Sequence, residues 1–185
     1  MPPKEKVSKV KVSDTAFEMT REYGFSSVTA RKLAERLGCS TQPIFRAYEN
    51  MDELRTDLFY MSTDFFIEYM LSKKGRSPAY LGLALSYIEF AKEEKNLFEL
   101  IASVDDFGTQ TITEFLKSDE GSQLLKKVSG SYETSVDQKR DLFTMFWMFV
   151  HGMAALIVGN RVDFTDREIK GYITKAYEGF VAGIQ

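Results

Sequence analysis

The stretch "TARKLAERLGCSTQPIFRAY", from Thr29 to Tyr48, decides how the rest of the chain is read. Ala30, Leu33, Ala34 and Leu37 recur at i, i+3, i+4 and i+7, which places them on one face of a helix. The Thr29 hydroxyl can cap the N-terminus of that helix, and Gly38 stops it. After the break Gly38-Cys39-Ser40 comes a second helix, too short to be stable alone. Ser40 can cap it, and Pro43 fits its first turn because that nitrogen needs no intrahelical partner. Ile44 and Tyr48, four residues apart, face inward. Thr41, Gln42, Phe45 and Arg46 are left outside. Two short helices across a tight glycine-containing turn match the helix-turn-helix, whose second helix enters the major groove of DNA. The outward side chains suit that groove. Arginine bonds bidentately to guanine O6 and N7, and glutamine to adenine N6 and N7. Threonine bonds a base or touches a thymine methyl.

Outward from this stretch the pattern stays helical. Val12, Ala16, Met19 and Tyr23 share one helical face, and Gly24 closes that run as a C-terminal cap. A new helix begins near Asp52 and carries Leu54, Leu58, Met61, Phe65 and Tyr69 down one side until Gly75 and Pro78 break it. No stretch alternates over a strand length. The expected fold is all-α, with a helix-turn-helix domain over residues 1–50 and a larger helical domain over 51–185.

The residues Ala16-Phe17, Tyr23-Gly24-Phe25, Val28-Thr29, Leu33-Ala34, Leu37-Gly38-Cys39-Ser40, Ile44-Phe45, Tyr48 and Leu54 follow one another in an order and spacing that resembles the DNA-binding domain of the TetR/AcrR family of bacterial transcriptional regulators. Near the other end, "FWMFVHGMAALI" resembles a Trp-x3-His-Gly pattern of many members' ligand domains. The resemblance implies an all-α homodimer. Its N-terminal three-helix domains would bind a palindromic double-stranded operator. Its C-terminal domain would dimerise and hold a small-molecule inducer. Position by position, it implies a phosphate contact for Thr29 and a base or phosphate contact for Arg31. Thr41, Gln42, Pro43 and Arg46 would face bases, with Ser40 and Phe45 in the same DNA-binding set. The chain departs from the pattern twice. Phe45 stands where the family commonly has a phosphate-bonding tyrosine, and Met51 where it commonly has a lysine. Lys4, Lys6, Lys9 and Lys11 are placed to compensate as a flexible basic arm, with a solubilising tail as the alternative.

Charge agrees with an anionic partner at the N-terminus. Residues 1–46 hold nine Lys+Arg against five Asp+Glu, net +4, within a chain of net charge −3. One cysteine, Cys39, excludes an internal disulfide and fits a reducing, cytoplasmic setting. Its place in the turn reads as a small apolar residue. The start "MPPKEKVSKV" has neither the apolar run nor the cleavage site of a signal peptide. There is no glycine-rich phosphate loop, no nucleophile elbow and no cluster with metal-ligand spacing, so neither an enzyme, a cofactor nor a metal is expected. A helical protein–protein adaptor without DNA binding is the rival reading.

Toward the C-terminus, Leu142–Val158 is apolar on all sides. Its seventeen residues reach the lower limit of a membrane span. With His151 in its middle, the better reading is a helix covered on one side by its own domain and on the other by a partner subunit. In the last helix Ile169, Tyr172, Ile173, Ala176, Tyr177, Phe180, Val181 and Ile184 are at helical spacing, and small residues gather toward another face. Gly152, Ala155 and Gly159 on one helix and Gly179, Ala182 and Gly183 on the other are the expected dimer interface, a four-helix bundle. The expected ligand pocket draws on Phe65, Tyr69, Tyr87, Phe90, Phe107, Phe146, Trp147 and His151. For any single one of them plain core packing is the favoured reading.

Overall fold

A computed structural model describes residues 7–72, 78–102, 112–130 and 134–184. Among the described residues there are ten α helices, one 3-10 turn and no strand, so the fold is all-α as expected. The chain packs as two compact units: Met1–Phe65 with Glu94–Phe107, and Phe66–Glu93 with Gly108–Gln185.

The first unit contains α1 (Lys9–Tyr23), α2 (Ala30–Arg36), α3 (Gln42–Ala47), the first part of α4 (Met51–Ser72) and α6 (Lys95–Ala102). Ser8 caps α1, its Oγ accepting from the Lys11 N–H at 3.2 Å. Val12, Ala16 and Met19 are buried as the periodicity requires. Tyr23, expected on the same face, is instead 55% exposed. It is the last residue of α1, beyond the reach of the core, and its hydroxyl bonds the Glu22 carboxylate. The core joins Val12, Ala16, Leu33, Ile44 and Tyr48 to Leu54 and Leu58 of α4 and Leu100 of α6. Packing therefore runs past the boundary expected at residue 50, because α4 and α6 supply apolar side chains that three short helices lack. Arg21 anchors α6 to α1: its guanidinium bonds Glu94 (Nε to Oε2, 2.7 Å), and the Asn96 amide donates to the Arg21 carbonyl at 2.9 Å. Leu58 is fully buried in this core, so Leu58→Ala should cost roughly 2–5 kcal/mol of stability. Urea unfolding measures this, and an unchanged midpoint would contradict the packing.

The second unit contains α5 (Ala79–Glu93), α7 (Ile112–Phe115), α8 (Asp119–Ser129), α9 (Val136–Val158), α10 (Asp166–Ile184) and the end of α4. α5 packs against α8, α9 and α10, and α9 against α8 and α10. A capping box opens α9: Ser135 Oγ accepts from Gln138 N–H, and the Gln138 side chain accepts from Ser135 N–H. Tyr80 stacks on Tyr177 with ring centroids 3.6 Å apart, and Phe146 meets both rings edge-on. α9 is long and apolar enough to cross a membrane by length and composition, yet only a third of its most apolar window is buried within the chain.

Candidate nucleic-acid interface

The turn between α2 and α3 is built by backbone bonds that sequence-local chemistry explains. Cys39 N–H donates to the Ala34 carbonyl at 3.0 Å and Gly38 N–H to the Glu35 carbonyl at 3.1 Å, the paired bonds of a Schellman ending. Gly38 takes φ +65°, the left-handed region that glycine enters without steric cost. Cys39 is half-buried against the core, in keeping with its reading as a small apolar residue. At the other end of α2, Thr29 Oγ1 accepts from Lys32 N–H at 3.3 Å, the cap the sequence calls for.

Ser40 does not cap α3, a correction to the sequence reading. Thr41 holds the cap position in a helical conformation, and no side chain caps it. A capping oxygen would serve the N–H of the second or third helical residue. Here the second is Pro43, which has none, and the third, Ile44, bonds the Thr41 carbonyl at 3.1 Å. Ser40 is left exposed at the edge of the turn.

Ile44 and Tyr48 are both almost fully buried and pin α3 to the core. Thr41, Gln42, Phe45 and Arg46 are exposed, as are Thr29 and Arg31 on the neighbouring helix, while Pro43 is half-buried. The arginines of α1, α2 and α3 divide into two kinds. Arg21 and Arg36 are committed to Glu94 and Glu22. Arg31 and Arg46 make no ion pair among the described residues, so both charges stand open to an external anion. Lys32, which the sequence pattern does not single out, is exposed beside Arg31.

The basic arm is corrected in part. Lys9 is the first residue of α1, and its ammonium lies 3.2 Å from Glu53 and 3.5 Å from Asp57, above the Tyr48 ring at 4.4 Å. The Glu53 hydrogen bond raises the Lys9 pKa. Glu53 in turn accepts from the Glu49 N–H, and that bond, then Lys9, holds its carboxyl below the usual range. Lys9 therefore fastens the start of α1 to α4, a long-range pairing that local charge counting cannot see. Lys4 and Lys6 lie outside the described residues.

The aromatic residues expected to line a pocket separate into groups. Tyr69, Tyr87, Phe90, Trp147 and His151 come together around Phe66, which sequence reasoning passed over. Phe66 meets Tyr87 at 5.0 Å and Phe90 at 4.9 Å, and Tyr69 meets Phe90 at 5.4 Å. The Tyr87 hydroxyl and His151 Nδ1 are 2.8 Å apart, and the Trp147 indole stacks on the imidazole. Burial pushes the Tyr87 phenol up and the His151 imidazole down from its usual value. The unfolded imidazole titrates near 6.5, so the folded state should lose stability as pH falls below that value toward the depressed one. Phe146 belongs to the Tyr80–Tyr177 group, Phe65 sits in the first unit against Phe17 (5.9 Å) with the Arg21 guanidinium above it, and Phe107 lies outside the described residues. An open groove of about 430 Å³ between α5 and the start of α10 is lined by Leu85, Ile88, Lys92 and Asp166 among others, and by none of those aromatics. Among the described residues no three metal-ligating side chains cluster.

The small residues of the last two helices are on the outside. Gly152 and Ala155 of α9, Gly159 at its C-cap, and Gly179, Ala182 and Gly183 of α10 are exposed. A Cβ built at Gly152, Gly179 or Gly183 would meet nothing within 4 Å, whereas one at Gly159 would touch the Ala155 carbonyl at the helix end. Met148, Leu156 and Tyr172 are exposed on the same two helices, and Phe149 meets Phe180 at 6.3 Å.

No protein-family model matches the sequence, and no curated protein sequence matches it. Solved structures do match its fold. A TetR variant from Acinetobacter baumannii AYE in complex with minocycline shares 17% identity, with 96% of each chain covered and a TM-score of 0.63. A TetR-like transcriptional regulator from Rhodococcus sp. RHA1 shares 13% identity over 97% of this chain and 98% of that one, with a TM-score of 0.61. A TetR family transcription regulator from Marinobacter aquaeolei VT8 shares 17% identity over 92% of this chain and 93% of that one, with a TM-score of 0.59. The chain has the fold of the TetR-family transcription regulators.

Proposed function

We propose that the chain is a cytoplasmic DNA-binding transcriptional regulator, a homodimer that occupies a palindromic operator and represses until a small-molecule inducer binds. The observation that carries the reading is the outer face of α3. Ile44 and Tyr48 are spent on the core, and Thr41, Gln42, Phe45 and Arg46 are turned to solvent at the end of a helix-turn-helix. Arg31, Lys32 and Arg46 give that side the positive charge a phosphate backbone attracts.

The homodimer rests on α9 and α10. Most of the apolar window of α9 is unburied in the single chain, and its exposed small residues are matched by those of α10. Small residues let helices approach closely, and a second copy of the same two helices completes a four-helix bundle. Lipid is a poor alternative, since α10 exposes Lys175 and Glu178 beside Gly179. For the inducer, the aromatic group around Phe66 gathers apolar rings with a polar Tyr87–His151 end, chemistry that suits a ring-bearing molecule such as the minocycline bound in one solved structure of similar fold.

Electrophoretic mobility shift of a duplex selected from random DNA tests the reading. Retardation that is lost in Arg46→Ala supports it, and no retardation of any duplex by the wild-type protein contradicts it. A separate prediction concerns Met51, at the start of α4 and half-buried against the first core. A lysine stem can lie along the same surface with its ammonium in water. Each phosphate contact adds about 0.9 to the slope of log K against log salt, so Met51→Lys should steepen the dimer's slope by roughly 1.8 and strengthen operator and random DNA alike. Anisotropy titrations at several salt concentrations read the slope, and an unchanged slope would mean that residue 51 does not face the backbone.

A further inference from the structure

We infer that Phe45 reads the 5-methyl group of a thymine in each half-site, making this protein a reader of thymine by apolar contact at a position adjacent to the pair held by Gln42. The inference rests on the DNA-binding reading above and adds to it the chemical group recognised.

Phe45 is 53% exposed on α3, while its neighbour Ile44 and Tyr48 at the helix's C-cap are almost fully buried. Its place is fixed by the backbone: its N–H donates to the Thr41 carbonyl at 3.2 Å, one turn back. That sets the ring directly after Thr41 and Gln42 and before Arg46 on the outer face. Residues three apart on a helix are neighbours at about 5–6 Å between Cβ atoms, so Gln42 and Phe45 address the same or adjoining base pairs. The ring carries no hydroxyl, so it cannot bond a phosphate or a base edge. It also has no ring partner among the described residues, in contrast to Phe17, Phe65 and Phe66, each of which meets another ring. Of the groups that the major groove displays, only the thymine methyl is apolar, and phenylalanine is among the side chains that contact it. Arg31 on α2 supplies an open cation for the phosphates, while the ring supplies no charge of its own.

The thymine methyl can be removed without disturbing base pairing. A duplex obtained by selection from random DNA is remade with deoxyuridine in place of each half-site thymine in turn, and binding is measured for the wild-type protein, Phe45→Ala and Phe45→Tyr. Burying one methyl is worth about 0.8 kcal/mol, so the wild type should bind the uracil duplex about fourfold more weakly per half-site and roughly fifteenfold more weakly with both replaced. Phe45→Ala should bind thymine and uracil duplexes equally. Phe45→Tyr keeps the ring and should keep the preference for thymine. Because Phe45 is exposed, the alanine variant should retain the unfolding midpoint of the wild type. Equal binding of the thymine and uracil duplexes by the wild type at every position overturns the inference and leaves DNA reading intact. So does an undiminished thymine preference in Phe45→Ala. Failure to select any duplex at all removes both the inference and the reading beneath it.

Discussion

Gly179→Trp should give a well-folded protein that no longer dimerises. Gly179 lies inside α10, with open space where a side chain would project. Glycine is about 1 kcal/mol worse than alanine in a helix interior, so most side chains there should leave the protomer at least as stable. The cost falls on the subunit interface. Overpacking a close contact costs typically 1–3 kcal/mol, and a two-fold axis brings the change in twice. The dimer dissociation constant should rise by about thirtyfold to twenty-thousandfold. Light scattering at micromolar concentration should show the wild type as a dimer and the variant as a monomer. Gly152→Trp on α9 should behave the same way. Gly179→Ala, adding a single methyl, should keep the dimer and raise the unfolding midpoint. An unchanged dimer in both tryptophan variants, or a wild-type monomer, would remove the α9–α10 face from the interface.

Arg46→Ala should cost roughly 1–3 kcal/mol at one position of each half-site, or about 2–6 kcal/mol for the dimer on its best site. Arg46 is exposed on α3 with no ion-pair partner among the described residues, so its removal breaks no internal bond. The expected signature is specific. Preference for guanine at that position should relax, while binding to unrelated DNA falls little. Comparing the wild type and the variant over all four bases at each half-site position measures it. Uniform weakening across sequences, with a salt slope shallower by about 0.9 for each subunit, would show that Arg46 meets phosphate instead.

Elements set by near neighbours were legible in the sequence. The end of α2 follows from Gly38 and the inward face of α3 from Ile44 and Tyr48, because caps and helical periodicity act within one or two turns. The exceptions have local causes too. Ser40 gives no cap because α3 starts one residue later, with Thr41 at the cap position and Pro43 offering it no donor, and Tyr23 escapes the core because α1 ends at it. What sequence pattern alone could not supply was every pairing between distant segments. Leu100 completes a core begun at Val12, Lys9 binds Glu53, and Arg21 binds Glu94. The candidate site shows the same divide. The exposed face of α3 was readable residue by residue. Which aromatics meet depends on how long helices cross, so Phe66 was passed over and Phe65 proved to pack on Phe17.

Selection of bound duplexes from a random DNA pool, followed by sequencing, tests the central claim most directly. A homodimer reading DNA through α3 should enrich an inverted repeat, with half-site centres about 34–36 Å apart or a multiple of that spacing, and with a guanine in each half-site that Arg46→Ala no longer requires. A pool that stays random after repeated rounds, or that converges on an element without two-fold symmetry, would contradict it.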